Sequence, residues 1–149
     1  RVIEVPGHTV GHVAYHFAEG GLCFTGDSLM TLGCGRLFEC TAAQMWDSLS
    51  RLAALPDETL ICSGHEYAAS NARFAQTIEP ENPALIHRAA AIAAARAEGR
   101  PTVPVALSEE KATNPFLRAG VTAVKAAVGL PDAPAVEVFA ELRARKDRF

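Results

Sequence analysis

Three short segments carry residue types that bind cations, and each follows an apolar run and a glycine. Leu22 to Thr25 leads into Gly26 and Asp27, within Phe24-Thr25-Gly26-Asp27-Ser28-Leu29. Val2 to Val5 leads into Pro6-Gly7-His8-Thr9, and Leu60-Ile61-Cys62 into Ser63-Gly64-His65-Glu66-Tyr67. An apolar run closed by glycine is the pattern of a buried strand that turns sharply at its end. A carboxylate delivered to that end needs a charge partner or a metal. A single His or Asp after a strand is commonly a turn or cap residue. Three such endings in a chain of 149 residues predict a shared site. His8, Asp27 and His65 are therefore expected to converge on metal.

The elements that must position these residues can be read in order. Arg1 to Val5 alternates and predicts a half-buried strand. Val13 to Phe17 alternates again, with Val13, Tyr15 and Phe17 on one face and Ala14 and His16 on the other. Glu19-Gly20-Gly21 predicts a hairpin-type turn into the strand that ends at Asp27. Thr31 to Cys40 has no period and is expected to be a loop. Its Gly33-Cys34-Gly35-Arg36 core reads equally as a ligand-wrapping segment or a surface turn with a solvated arginine. Thr41-Ala42-Ala43-Gln44 is a capping-box pattern opening a helix with the stripe Met45, Leu49, Leu52 and Leu55. Thr59 to Cys62 is expected to be the last strand.

Beyond His65 the pattern becomes helical. Helices are expected over Glu66 to Gln76, over Ala84 to Glu98 after the Asn82-Pro83 start, after a Ser108 cap, over Thr122 to Val128, and from Pro134 to about Arg145. The alanine-rich helix has few large apolar residues and reads as a thin amphipathic element. The basic tail from Arg143 to Arg148 reads on charge alone as a solvated helix end.

Composition excludes several classes. The net charge of −3 gives no pointer to nucleic acid. No apolar run is long enough to span a bilayer, and none opens the chain as a signal peptide. Cys23, Cys34, Cys40 and Cys62 form no CxxC pair, which predicts a reducing, cytoplasmic setting. Cys34 and Cys40 read as ligands, a nucleophile or small apolar filler. The chain opens on a strand without methionine, as a piece of a longer protein would.

The motifs resemble the metallo-β-lactamase superfamily and, within it, the hydroxyacylglutathione hydrolase (glyoxalase II) family. Pro6-Gly7-His8-Thr9-Val10-Gly11-His12 is similar to the third metal motif, Phe24-Thr25-Gly26-Asp27-Ser28-Leu29 to the fourth, and Cys62-Ser63-Gly64-His65-Glu66-Tyr67 to the fifth. Gly33-Cys34-Gly35-Arg36, Asn114-Pro115-Phe116 and the Arg143-to-Phe149 tail resemble the subfamily in particular. The resemblance implies an α/β fold, the second half of an αββα sandwich over residues 1–66, followed by an all-helical substrate-binding domain over 67–149. It makes His8 a ligand of a first metal, His65 of a second, and Asp27 a catalytic bridge between them. Two divalent metals are implied, zinc with iron or manganese as alternatives. Arg36, Phe38, Tyr67, Arg143 and Lys146 fall where the family binds glutathione. Phe38 departs from the pattern, since an aromatic hydroxyl is common there.

A larger departure is the lack of the family's T-H-x-H-x-D-H segment, which supplies most of the ligands. It would lie before Arg1, so the missing N-terminal segment is the partner expected to complete the site. With about two ligands per metal, this chain is expected to show reduced or absent metal occupancy and little activity alone. The implied reaction is hydrolysis of S-(2-hydroxyacyl)glutathione, such as the lactoyl thioester, by a hydroxide shared between two metals. Three other readings stand beside it: an iron persulfide dioxygenase of the same fold, a lactamase or lactonase, and a non-catalytic fragment serving as an interaction module.

Overall fold

The computed structural model describes residues 1–149. Strands β1 (Val2–Glu4), β2 (Val13–Phe17) and β3 (Leu22–Gly26) form an antiparallel meander. A 3-10 turn over Ala18–Gly20 joins the last two, and Gly21 closes it at a φ of 63°. A short hairpin follows, β4 (Leu29–Met30) and β5 (Gly33–Cys34). Helix α1 (Ala42–Ala53) then crosses back, so that β6 (Leu60–Ser63) lies parallel to β3. The rest comprises α2 (Ala68–Ile78), α3 (Pro83–Ala97), β7 (Val105–Ala106), α4 (Leu107–Thr113), α5 (Thr122–Ala127) and α6 (Ala135–Arg148). The main sheet has the order β1-β2-β3-β6-β7.

Register assigns the two faces of this sheet. Ile3 pairs with Ala14, and Cys23 with Ile61; all four are buried in the main core. There they meet Met45, Leu49 and Leu52 of α1 and Val138, Phe139 and Leu142 of α6. Each fully buried large side chain stabilises the fold by about 1.5–3 kcal/mol. The alternate residues face the other way. Val2 pairs with Tyr15, Tyr15 with Phe24, and Phe17 with Leu22. Tyr15, Phe17 and Phe24 are 49%, 54% and 46% exposed, so this half of the sheet is an uncovered apolar face.

Several sequence expectations change. Thr31 to Cys40 is not simply a loop, because β5 lies within it and pairs with β4 across a turn at Leu32, whose φ is 56°. Two-residue strands carry no readable alternation. The strand ending at Ser63 is not the last, since β7 adds to the sheet beside it, antiparallel. Ser108 caps nothing; it lies inside α4, whose N-cap position is Ala106. Helix α6 continues to Arg148. Helix α3 is more than a surface element: Leu85 and Ile92 form a second cluster with Leu32 and the alanines of α2.

The hairpin is held by a buried polar cluster. Glu110, fully buried, accepts from the Leu32 amide at 3.0 Å and from Asn114 Nδ2 at 2.9 Å, and its other oxygen receives Arg88. Asn114 Nδ2 also donates to Gly33 O at 3.1 Å, and Asn71 Nδ2 to Thr31 O at 3.0 Å. The helical region thereby fixes the path of residues 30–34. Removing one member of a buried ion pair leaves a charge unpaired. Arg88→Met is therefore expected to lower stability by about 3–5 kcal/mol in urea denaturation.

Candidate metal and anion site

Strand β3 delivers Asp27 through a bulge. Phe24 pairs with Cys62 but Gly26 pairs with Ser63, so Thr25 is the extra residue. A bulge bends a strand end and re-aims the side chain that follows. Thr25 Oγ1 donates to Leu29 O at 2.6 Å, which ties down the turn.

Asp27 faces two imidazoles. Its Oδ2 lies 3.6 Å from His8 Nε2, and its Oδ1 lies 3.2 Å from His65 Nε2. Charge-assisted hydrogen bonds are shorter than this, about 2.7–2.9 Å. Two N and O ligands at about 2.0–2.2 Å from one tetrahedral ion sit about 3.4 Å apart. One carboxylate thus stands between two imidazoles, each of its oxygens facing a different Nε2. His8 Nδ1 is 2.9 Å from Arg36 O, and a carbonyl only accepts, so Nδ1 carries a proton; in the neutral ring Nε2 is then the nitrogen with the lone pair. Each imidazole meets one oxygen of Asp27, and no group of three or more His, Cys, Asp or Glu side chains converges on a single point.

Gly35 is required at this spot. A Cβ there would overlap the Asp27 carbonyl oxygen and lie 3.0 Å from His8 Nδ1. The two imidazoles are also flanked by aromatic rings. Phe38 lies against His8 at 4.9 Å, and Tyr67 stacks on His65 at 4.8 Å and 7°.

All eight residues singled out from the sequence line one cavity of about 500 Å³: His8, Asp27, Arg36, Phe38, His65, Tyr67, Arg143 and Lys146. Cys34, Ser70, Asn71 and Phe116 join them. The sequence reading missed Asn71, which resembles any polar residue on a helix until the hairpin is seen beside it. Arg143 is buried, against the solvated-end reading of the tail. Its Nη1 donates to Cys34 O at 2.8 Å, and Nε and Nη2 both donate to Asp147 Oδ1, at 3.1 and 2.9 Å. Most of its five N–H groups are thus spent on the protein.

Cys34 lies against this guanidinium. Burial pushes its thiol up to about 11, partly opposed by Arg143, so it is a neutral thiol at ordinary pH. Lys146 lies between the rings of Phe74 and Phe149, at 5.8 and 5.5 Å. Partial burial lowers its pKa, with further lowering from Arg143, Arg36 and Arg73. Cationic repulsion of this kind is relieved when an anion binds.

The family described as hydroxyacylglutathione hydrolase C-terminus matches residues 66–149, and the metallo-beta-lactamase superfamily matches residues 1–65. A hydroxyacylglutathione hydrolase of Cereibacter sphaeroides is 70% identical over 149 residues, covering all of this chain and 58% of the relative. That of Ruegeria pomeroyi is 63% identical, again covering all of this chain and 58% of the relative. The chain therefore spans well under two thirds of the length of these curated relatives. The solved structure of ETHE1 from Myxococcus xanthus is 28% identical with a TM-score of 0.53, covering 98% of this chain and 52% of that one.

Two outcomes follow from this geometry. Gly35→Ala is expected to cost about 1–3 kcal/mol by overpacking, read by urea denaturation, with loss of the His8–Arg36 contact in the ¹⁵N spectrum. Lys146 is expected to titrate below an ordinary lysine in an NMR titration. Between its lowered pKa and the ordinary value the unfolded chain holds the extra proton, so stability rises with pH across that window.

Proposed function

The chain belongs to the hydroxyacylglutathione hydrolase family, and on that premise we propose that its parent protein hydrolyses S-(2-hydroxyacyl)glutathione, the lactoyl thioester above all, to the hydroxy acid and glutathione. One observation carries the reading: the two oxygens of Asp27 face different imidazoles in a cavity that also holds Arg36, Arg143 and Lys146. When bound, two divalent metals, zinc or alternatively iron or manganese, supply Lewis-acid activation of water and polarisation of the thioester carbonyl.

The chain's own residues prepare that chemistry. Asp27 would hold both cations, one through each oxygen, and would offset part of their charge. Arg36 O holds the proton on His8 Nδ1, leaving Nε2 to ligate. Lys146 and Arg36 attract the carboxylates of glutathione, because charge-assisted hydrogen bonds are the strong kind. Arg143 contributes its field and holds the Cys34–Gly35 carbonyls in place. Tyr67 and Phe38 flank the entrance beside the two imidazoles. The glutathione sulfur leaves as a thiolate, which needs no strong acid because thiols are far more acidic than alcohols.

A catalytic zinc ordinarily takes three protein ligands. We assign the remaining donors to the part of the parent protein outside these 149 residues, and its seat to the apolar face of Tyr15, Phe17 and Phe24. The chain alone is then expected to bind metal weakly and turn over little. No helix is long and apolar enough to cross a membrane. The four free cysteines support a reducing, cytoplasmic setting.

In the metal-loaded parent, Lys146→Met is expected to raise KM for S-lactoylglutathione about 10–100-fold, the loss of one hydrogen bond to a charge, with kcat nearly unchanged. A metal-loaded parent that leaves glutathione thioesters intact would overturn the assignment.

A further inference from the structure

His12 takes no part in the chemistry above, although it closes the same Gly-His-Thr-Val-Gly-His segment that supplies His8. Its ring lies against the end of β3. Asp27 N donates to His12 Nε2 at 3.1 Å. A backbone amide only donates, so Nε2 is unprotonated and the neutral ring carries its hydrogen on Nδ1. The preceding Gly26 has a φ of 54°, and a Cβ built on it would come within 2.8 Å of the same Nε2. The turn that aims Asp27 is thus shaped on the His12 ring, and glycine is there because the ring comes so close. His12 also stands edge-on to His8, with ring centroids 6.0 Å apart.

From this geometry we infer that His12 is a positioning residue for Asp27: it accepts the Asp27 amide hydrogen and so fixes where the shared carboxylate stands between His8 and His65. The inference rests on the reading of Asp27 as a shared metal ligand. Its own Nε2 is occupied by the amide, so His12 acts through Asp27 and ligates nothing in this arrangement. Without that acceptor the turn loses the contact that opposes rotation of the Asp27 backbone. The two carboxylate oxygens then no longer present themselves to both imidazoles at once. Outer-shell contacts of this kind are worth about 10–100-fold in metal affinity.

The test uses the full-length parent protein, its His12→Leu variant and its His12→Gln variant. Leucine removes the acceptor, whereas the Gln side chain brings an amide oxygen to nearly the same place as Nε2. Metal affinity is measured for zinc by competition with a chromophoric chelator. His12→Leu is expected to lose about 10–100-fold in affinity and His12→Gln to recover most of it. Wild-type affinity in His12→Leu would overturn the positioning role alone. A wild-type parent that binds no zinc, iron or manganese would overturn the metal reading of Asp27 itself. Should His12→Leu fail to fold, the metal-free wild type supplies the decision. A scalar coupling between the Asp27 amide nitrogen and His12 Nε2 supports the contact, and an Nε2-protonated tautomer refutes it.

Discussion

The carboxylate of Glu110 is the point on which the site's geometry depends. It is fully buried and could not remain charged there without partners. Arg88 supplies the opposite charge, and Asn114 and the Leu32 amide supply hydrogen bonds. Because one of these partners is a backbone amide, the ion pair does more than neutralise itself. It holds Leu32 in a left-handed conformation that a branched side chain rarely adopts. That residue turns β4 into β5, and β5 runs directly into Gly35 and Arg36. The Arg36 carbonyl then sets the tautomer of His8. A cluster in the helical region therefore sets the path of the segment whose carbonyl meets an imidazole at the end of a strand.

Sheet and helices meet at this hairpin from both sides. Arg143 reaches over from α6 to the carbonyls of Cys34 and Gly35 while Asn114 holds Gly33 from behind. The same short segment thus separates the carboxylate–imidazole chemistry from the cations of the tail. Its glycines permit this closeness, and Gly35 in particular leaves no room between Asp27 and His8. The result is a cavity in which Asp27 and two imidazoles are joined by the cationic side chains of Arg36, Arg143 and Lys146.

Much of this was legible in the residues themselves. The strand endings at His8, Asp27 and His65 stood out because glycine and a ligating side chain follow an apolar run each time. Helix α1 was legible because Thr41 and Gln44 cap it reciprocally. The hairpin was not, since two-residue strands show no period. Strand β7 was hidden for the same reason, between prolines and a helix. Arg88 gave no sign of burial, because a lone arginine in an alanine-rich helix looks solvated until Glu110 arrives from 22 positions later. Register decided which alternating face of β2 is covered: Ala14 is buried, whereas Tyr15 and Phe17 on the more apolar face are exposed.

Helix α1 packs on α6, with Trp46 against Phe139 at 5.7 Å, and the residues around them form one core with the sheet. A hinge requires a boundary that few contacts cross. No such boundary separates the strand ends from α6, so the two sides of the cavity are held together as one body. What can vary at its mouth is confined to exposed rings, Phe38 and Tyr67, each resting on an imidazole.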